Sequence, residues 1–313
     1  MKNFPPVPST PVPLWRRLVP WTIAAILVAF ILSRVDIHEV GSLLRAVNLP
    51  LYAAFILAFT VVNLVCDCLA ISRVYTANGT PETLRSILVV RGASYLPAIL
   101  NYHLGQAYLT YLIAKHHGRR MVDVARGTLV AYATMLGAFA LVAAVGMTMP
   151  IEHPSWVLRT ISLLIGGGVI YLAVLWMRPA FLADRPFTKP LFEVGAGGHL
   201  VLLLWRLPHV LVLSCAVWVN YSFFGVIVPL RSAVAIVPLI LLVAALPLTP
   251  QGVGTREVVA IHLLVPDVGG TFSDRAAPIV AAGAAWTLGT VAAQAAVGLF
   301  FTRKTKEILA MHT

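Results

Sequence analysis

The stretch Leu246-Pro-Leu-Thr-Pro-Gln-Gly-Val-Gly-Thr-Arg-Glu257 interrupts a region that is otherwise apolar from Ser232 to Val265. Proline removes a backbone donor and glycine frees the backbone, so a simple transmembrane helix must break within this stretch. At membrane depth, a broken backbone is tolerated only where protein or a water-filled cavity covers it. An intramembrane ion pair such as Arg256–Glu257 marks a candidate functional site. The alternative is a kinked helix that buries the pair for packing.

The composition around this stretch is that of a polytopic membrane protein. Of the 313 residues, 59% are apolar and 11% are charged, whereas soluble domains are about one quarter charged. The net charge of +11 indicates positive cytoplasmic loops and contact with anionic lipid, and no basic and aromatic stretch supports nucleic-acid binding. We expect an all-α fold with one transmembrane domain over residues 18–302, between a disordered segment 1–17 and a tail 303–313.

About six transmembrane helices are predicted, because a span needs roughly 20 apolar residues. They are Leu18–Ser33, Leu49–Ile71, Gly127–Met149, Trp156–Met177, His199–Val228 and Pro278–Phe301. The positive-inside rule places Arg16-Arg17 and the cluster Lys115-His-His-Gly-Arg-Arg120 in the cytoplasm. With Arg91 and Arg256 set aside, sixteen Lys and Arg residues then lie on the cytoplasmic side and five outside. Both termini are therefore predicted to be cytoplasmic.

Two further apolar segments cannot cross the membrane once on this topology. Both flanks of Ser86–Ala114 are cytoplasmic, and both flanks of Ser232–Pro266 are outside. Because each segment contains a break, the first running from Leu96-Pro97 through Asn101 and His103 to Gly105-Gln106 and the second starting at Leu246-Pro247, we expect two re-entrant hairpins that enter from opposite faces. The halves, about 18–149 and 156–302, each read span, span, hairpin, span. This order is typical of inverted-repeat transporters, whose site lies where the breaks meet; a chance match of two Leu-Pro pairs is the alternative.

The second hairpin carries the residues best suited to bind a lipid phosphate. Two glycines allow close backbone approach, and a helix that restarts beside them would present free N–H groups that bind phosphate. Arg256 adds a guanidinium whose fork fits phosphate, and Glu257 either holds Arg256 or contacts a cationic group of the headgroup. A purely structural Arg256–Glu257 pair is the alternative. The candidates at this tip are Gln251, Gly252, Gly254, Thr255, Arg256 and Glu257.

The first hairpin tip carries polar but uncharged groups, namely Asn101, His103 and Gln106. They suit hydrogen bonding to a headgroup, although satisfaction of the broken helix ends would explain them equally well. Arg91, before the break, could neutralise a phosphate from the cytoplasmic side.

Two more candidates lie in the spans. Asp67 could pair with Arg91 or Arg73. For Arg206, the alternative to a place in the site is snorkelling to the inner interface.

No metal site and no catalytic centre are predicted. His116 and His117 should face apart on a helix, and no His-x-x-x-His or acidic cluster accompanies them, His103 or Asp123. No serine or cysteine nucleophile has a visible partnered base. We therefore expect no cofactor and no enzymatic activity.

Residues 246–260 resemble the second signature of the lysyl-phosphatidylglycerol synthase transmembrane-region family, which reads Leu-Pro, a short spacer and Gly-x-Gly-x-Arg-Glu. Residues 91–113, with Arg-Gly-Ala-Ser-Tyr-Leu-Pro and then Gly105, are similar to its first signature, and the resemblance covers about residues 20–300. Members often carry an acidic residue and an arginine after the Gly pair of the first signature. This chain instead reads Gln106-Ala-Tyr-Leu-Thr.

The resemblance implies a flippase-like transporter that moves a phospholipid or other envelope lipid between the leaflets of the bacterial cytoplasmic membrane. In fused synthases this domain flips aminoacylated phosphatidylglycerol made by a C-terminal transferase, which a stand-alone member ending at Thr313 is expected to lack. The basic site favours an anionic phospholipid, and an envelope lipid-synthesis enzyme is a possible partner. Two other readings stay open: a non-transporting partner or regulator of an envelope lipid synthase or glycosyltransferase, and a membrane enzyme acting on a lipid phosphate.

Overall fold

A computed structural model describes residues 36–148, 155–185, 188–245, 249, 252–264 and 272–310, together with residues 22, 25, 26 and 29. Every regular element in these ranges is helical. The helices are α1 (Ile37–Ala46), α2 (Leu49–Ala77), α3 (Leu84–Ala93), α4 (Tyr95–Leu100), α5 (Tyr102–His116), α6 (Met121–Gly146), α7 (Ser155–Met177), α8 (Ala180–Ala183), α9 (Lys189–Ser222), α10 (Leu230–Ala245), α11 (Thr255–Leu264) and α12 (Phe272–Ala310). The predicted first span, Leu18–Ser33, lies almost entirely outside the described residues.

Five of these helices, α2, α6, α7, α9 and α12, are long and apolar enough to cross a bilayer. Their bounds differ from the predicted spans because hydropathy marks the membrane-embedded part of a helix, whereas caps mark its ends. Thus α2 continues past Ile71 to Ala77 and stops before Gly79, whose φ is +73°. The helix α9 begins at Lys189, is kinked at Gly195, where φ is +67° and ψ is 169°, and ends at Ser222. The predicted start at His199 therefore lies just after the kink. The chain is an all-α polytopic membrane protein.

The first broken segment comprises α3, α4 and α5, residues 84–116. Its sharp turn lies at Asn101, which has extended backbone angles and whose Oδ1 accepts a hydrogen bond from the His103 N–H at 2.7 Å. The predicted break, which begins at Leu96-Pro97 and continues through Asn101 to Gln106, contains this turn. Pro97 lies in the first turn of α4, where a missing N–H removes no intrahelical hydrogen bond.

The second broken segment comprises α10 and α11, residues 230–264, with the predicted interruption between Ala245 and Thr255. The φ angles of Gly252 and Gly254 are +70° and +84°, which favour glycine. A Cβ atom at Gly252 would lie 2.9 Å from the Ala244 Cβ and 3.0 Å from its Cα. Glycine is therefore needed where the chain folds back on the end of α10. Leu246, Pro247, Leu248, Pro250 and Gln251 lie outside the described residues.

Corresponding helices of the two halves pack in the same pattern. The helices α2 and α9, which correspond to each other, are in contact. The α6–α10 contact corresponds to the α12–α3 contact. The α5–α6 contact corresponds to the α11–α12 contact. In the α6–α10 contact, a Cβ atom at Gly146 would lie 2.4 Å from the Ala235 Cα. In the α3–α12 contact, a Cβ atom at Gly92 would lie 2.2 Å from the ring of Phe301. Small residues at such contacts let membrane helices approach closely.

Candidate functional site

A cavity of about 360 Å³ is lined by both broken segments and by α2, α6, α9 and α12. Arg91 reaches it from the first broken segment and Arg256 from the second. Aromatic side chains, including Phe59, Phe139 and Trp286, form part of the wall between them. The structure thus brings two guanidinium groups, 165 residues apart in sequence, to one cavity.

Arg91 is held by a buried carboxylate from a neighbouring helix. Its Nε donates to Asp67 Oδ2 at 2.6 Å, and its Nη1 donates to Ser94 Oγ at 3.3 Å. The other oxygen of Asp67 accepts from Arg206 Nη1 of α9 at 2.5 Å. All three charged residues are buried, so the carboxylate ties α2, α3 and α9 together. The Asp67–Arg91–Arg206 cluster has a formal charge of +1.

Arg206 does not snorkel to an interface. It is 2% exposed because Asp67 offers a charged partner at the same depth. One turn further along α9, the Nδ1 atom of His209 lies 3.4 Å from Arg206 Nη1, and His209 lines the cavity. Asp67 and Arg206 therefore lie behind the cavity wall, where they position Arg91. Of the two partners considered for Asp67, the structure selects Arg91.

Arg256 is fixed by its neighbour in sequence and by α12. Its Nε and Nη2 atoms donate to Glu257 Oε1 at 3.0 and 2.5 Å. The Nη2 atom also donates to the Gly283 carbonyl at 2.9 Å and to Thr287 Oγ1 at 3.0 Å. No described residue accepts a hydrogen bond from Nη1 of Arg256. Glu257 therefore holds Arg256 in place, and the guanidinium is oriented by α12.

Glu257 also caps the helix that carries it. It is the third residue of α11, and its Oε2 accepts from the Gly254 N–H at 2.7 Å, which is one half of a capping box. One of the free N–H groups expected to meet a phosphate is therefore already used. A Cβ atom at Gly283 would lie 2.5 Å from Glu257 Oε1, so the carboxylate needs a glycine opposite it.

Thr255, Gly252 and Gly254 form the turn before α11 and do not line the cavity. The Thr255 hydroxyl donates to the Gly252 carbonyl at 3.0 Å and lies 3.1 Å from Thr249 Oγ1. Thr249 lines the cavity, whereas Thr255, Gly252 and Gly254 do not. The predicted candidate Gln251 lies outside the described residues.

The polar residues of the first tip are divided between two places. Asn101 and His103 line the cavity, and His103 Nδ1 lies 2.8 Å from the Tyr132 hydroxyl of α6. Gln106 instead donates to the Tyr102 hydroxyl at 2.8 Å and lines a separate groove between α5 and α6. Gln106 therefore belongs to the packing beneath the tip.

Sequence reasoning missed a polar face on α12. Thr287, Thr290 and Gln294 all line the cavity and recur at helical spacing, which places them on one face. They lie within an otherwise apolar span, and this periodicity was the signal that could have revealed them. The cavity thus has hydrogen-bonding groups along its α12 wall, where Thr287 accepts a hydrogen bond from Arg256.

The profile of the family described as lysylphosphatidylglycerol synthase TM region matches residues 17–298. No curated protein matches the chain. The matched range includes both broken segments, both cavity arginines, four of the five long apolar helices among the described residues and most of the span in the fifth. The chain therefore belongs to the family of the lysylphosphatidylglycerol synthase transmembrane region.

Proposed function

We propose that the protein moves a lipid with an anionic headgroup between membrane leaflets, with the headgroup bound in the cavity between the two broken segments. The observation that carries this proposal is that Arg91 and Arg256, from corresponding segments of the two halves, line the same cavity. Family membership supports a membrane protein that acts on an envelope lipid. The cavity supplies a place for such a lipid to bind.

The charge around the cavity favours an anion. The Asp67–Arg91–Arg206 cluster is formally +1, and the Arg256–Glu257 pair is formally neutral. A net positive charge at low dielectric is stabilised by a bound anion. The guanidinium groups present planar donors that match phosphate oxygens. A phosphate-containing headgroup therefore fits the wall better than a cationic or apolar one.

The size of the cavity fits a headgroup. Small-molecule sites commonly measure about 300–1,000 Å³, and this cavity, at about 360 Å³, is near the lower limit. Acyl chains would then remain in the bilayer while the headgroup occupies the cavity. This arrangement avoids transfer of the whole lipid through the protein.

The lengths of the broken segments support their assignment as re-entrant hairpins. α5 and α10 contain 15 and 16 residues, which gives about 24 Å at most at 1.5 Å per residue. A bilayer core is about 30 Å thick, so neither arm alone spans it. With no net crossing by either segment, three crossings separate the start of α2 from the start of α9. The two halves then have opposite orientations, as in transporters that alternate access around a central site.

The proposal is tested by reconstituting the chain in liposomes and measuring movement of fluorescent phosphatidylglycerol and phosphatidylcholine between leaflets. We expect faster movement of phosphatidylglycerol and at least a tenfold loss with Arg91→Gln or Arg256→Gln. Arg45→Gln is the matched control, because Arg45 is exposed on α1. Thermal melting and gel filtration establish that each variant folds.

Two outcomes would overturn the proposal. Full transport by both folded cavity variants would show that the guanidinium groups do not bind the moving lipid. Absence of transport by the wild-type chain with either lipid would instead favour a non-transporting partner of an envelope lipid synthase.

A further inference from the structure

A second cluster of polar side chains lies apart from the cavity, where the two ends of the first broken segment meet. Glu82 precedes α3, and His116 and His117 end α5. The Nδ1 atom of His116 and the Nε2 atom of His117 each lie 3.0 Å from Glu82 Oε1. The three potential ligand atoms all lie within 4.8 Å of one another.

The sequence expectation that the two histidines face apart is wrong for a local reason. Adjacent residues within a helix point about 100° apart. However, α5 ends at His116, and His117 is the C-cap residue with φ −92° and ψ 2°. The helix has therefore ended where His117 turns toward its neighbour, and the two ring centroids lie 5.1 Å apart. Glu82, which is 34 residues from His116 in sequence, supplies the acidic member of the cluster.

The carboxylate of Glu82 is buried, and only one of its two oxygens has a hydrogen-bond partner among the described residues. The side chain of Glu82 is 1% exposed, and its Oε2 atom is buried with no hydrogen-bond partner among the described residues. A buried carboxylate oxygen without a partner is unfavourable and calls for an explanation such as a bound ion. The imidazoles of His116 and His117 are 14% and 22% exposed, so the cluster can be reached from solvent.

We infer that Glu82, His116 and His117 bind one divalent transition-metal ion, for which Zn²⁺ is the best match. Zn²⁺ binds imidazole nitrogen and carboxylate oxygen at about 2.0–2.2 Å. In a tetrahedral site this places ligand atoms about 3.4 Å apart, so each of the two histidine–Glu82 separations of 3.0 Å needs to open by only a few tenths of an ångström. Two nitrogen ligands disfavour Mg²⁺ and Ca²⁺, which prefer oxygen. The fourth position is open to water.

A metal ion bound by Glu82, His116 and His117 would hold the two ends of the first broken segment together. The ion takes a lone pair from each imidazole nitrogen, so the proton that each nitrogen could donate to Glu82 moves to the other ring nitrogen or leaves. Lys115 directly precedes the two histidines, Arg119 and Arg120 follow them, and all three oppose the added positive charge. We therefore expect moderate, micromolar affinity. The site lies at the opposite end of α5 from Asn101, so the inference does not depend on lipid transport.

The experiment uses the full chain in detergent, purified with a tag that contains no histidine and stripped with EDTA. Calorimetric titration with ZnCl₂ and elemental analysis are expected to give one Zn²⁺ per chain and a higher melting temperature. Titration with MgCl₂ is expected to show neither. Glu82→Gln and the double variant His116→Gln/His117→Gln should each lower the Zn²⁺ affinity at least tenfold. His38→Gln is the control, because His38 is exposed on α1.

The inference is overturned if the wild-type chain binds no Zn²⁺, or if the double histidine variant binds it as tightly as wild type. Melting curves in EDTA show whether each variant folds without metal. If Glu82→Gln does not fold, the double histidine variant decides. The two imidazoles that it removes are partly exposed, and it keeps the Glu82 carboxylate.

Discussion

In the first broken segment a helix restarts after Asn101, and in the second a helix restarts after Gly254. The second residue of each restarted helix lines the cavity: His103 in the first and Arg256 in the second. His103 contacts Tyr132 of α6, and Arg256 donates to Thr287 of α12, the helix that corresponds to α6 in the packing pattern. The two tips therefore share a geometry and differ in charge.

The first half supplies its charge from a different place. Arg91 lies on α3, before the tip, and its counter-ion comes from α2, with Arg206 of α9 on the other side of Asp67. In the second half, the cation and its counter-ion are neighbours in sequence, Arg256 and Glu257. One site is thus local, whereas the other is assembled from three helices. This difference predicts that the first site depends more on the integrity of the fold.

The largest expected effect follows from removing the carboxylate of the assembled site. Asp67→Asn leaves two buried guanidinium groups without a counter-ion, and breaking a buried ion pair in this way costs about 3–5 kcal/mol. We expect a large fall in melting temperature, measured on the detergent-solubilised chain. Asp123→Asn is the control, since Asp123 pairs with an exposed Arg120 and such surface pairs contribute little. Equal melting temperatures for the two variants would show that the cluster is not a structural centre.

Sequence reasoning anticipated the Arg256–Glu257 pair and the Asp67–Arg91 pair, but not the contact between Asp67 and Arg206 that completes the assembled cluster. The Gly-Val-Gly-Thr-Arg-Glu stretch contains its own turn, cap and ion pair, so its role is visible in consecutive residues. Asp67 lies 24 residues from Arg91 and 139 residues from Arg206, and only packing brings the three together. Within the first break, the sequence did not single out Asn101 as the turn, because Pro97 in the first turn of a helix resembles a helix breaker in sequence. The polar face of α12 was similarly hidden within an apolar span.

A second prediction concerns the corresponding helix contacts α6–α10 and α3–α12. At Gly146 the obstacle to an added Cβ is the backbone of α10, at Ala235, whereas at Gly92 it is the Phe301 ring. Backbone cannot move without separating two helices, so Gly146→Ala should destabilise by about 1–3 kcal/mol, as overpacking does. Gly92→Ala should cost less, because the aromatic side chain can change rotamer.

Gly166→Ala on α7 is the control for this pair. No atom lies within 4 Å of its added Cβ, and alanine favours a helix over glycine by up to about 1 kcal/mol. Thermal melting of the three variants should therefore rank Gly166→Ala first, Gly92→Ala second and Gly146→Ala last. If Gly92→Ala were the least stable, the α3–α12 contact would be the more rigid of the two.

The smallest expected effect comes from making the first tip resemble the second. His103→Arg places a guanidinium at the residue that corresponds to Arg256, on an exposed side chain that already lines the cavity. Because protein covers the His103 side chain only in part, an arginine can be added there without displacing a neighbour. We expect only a two- to threefold rise in the rate of phosphatidylglycerol relative to phosphatidylcholine, since Arg91 and Arg256 already line the cavity. His103→Gln, which keeps a polar side chain and adds no charge, is the matched control. An unchanged ratio in a folded His103→Arg protein would mean that the two tips are not interchangeable. The charge that the lipid senses would then be that of Arg91 on α3, which Asp67 of α2 holds in place.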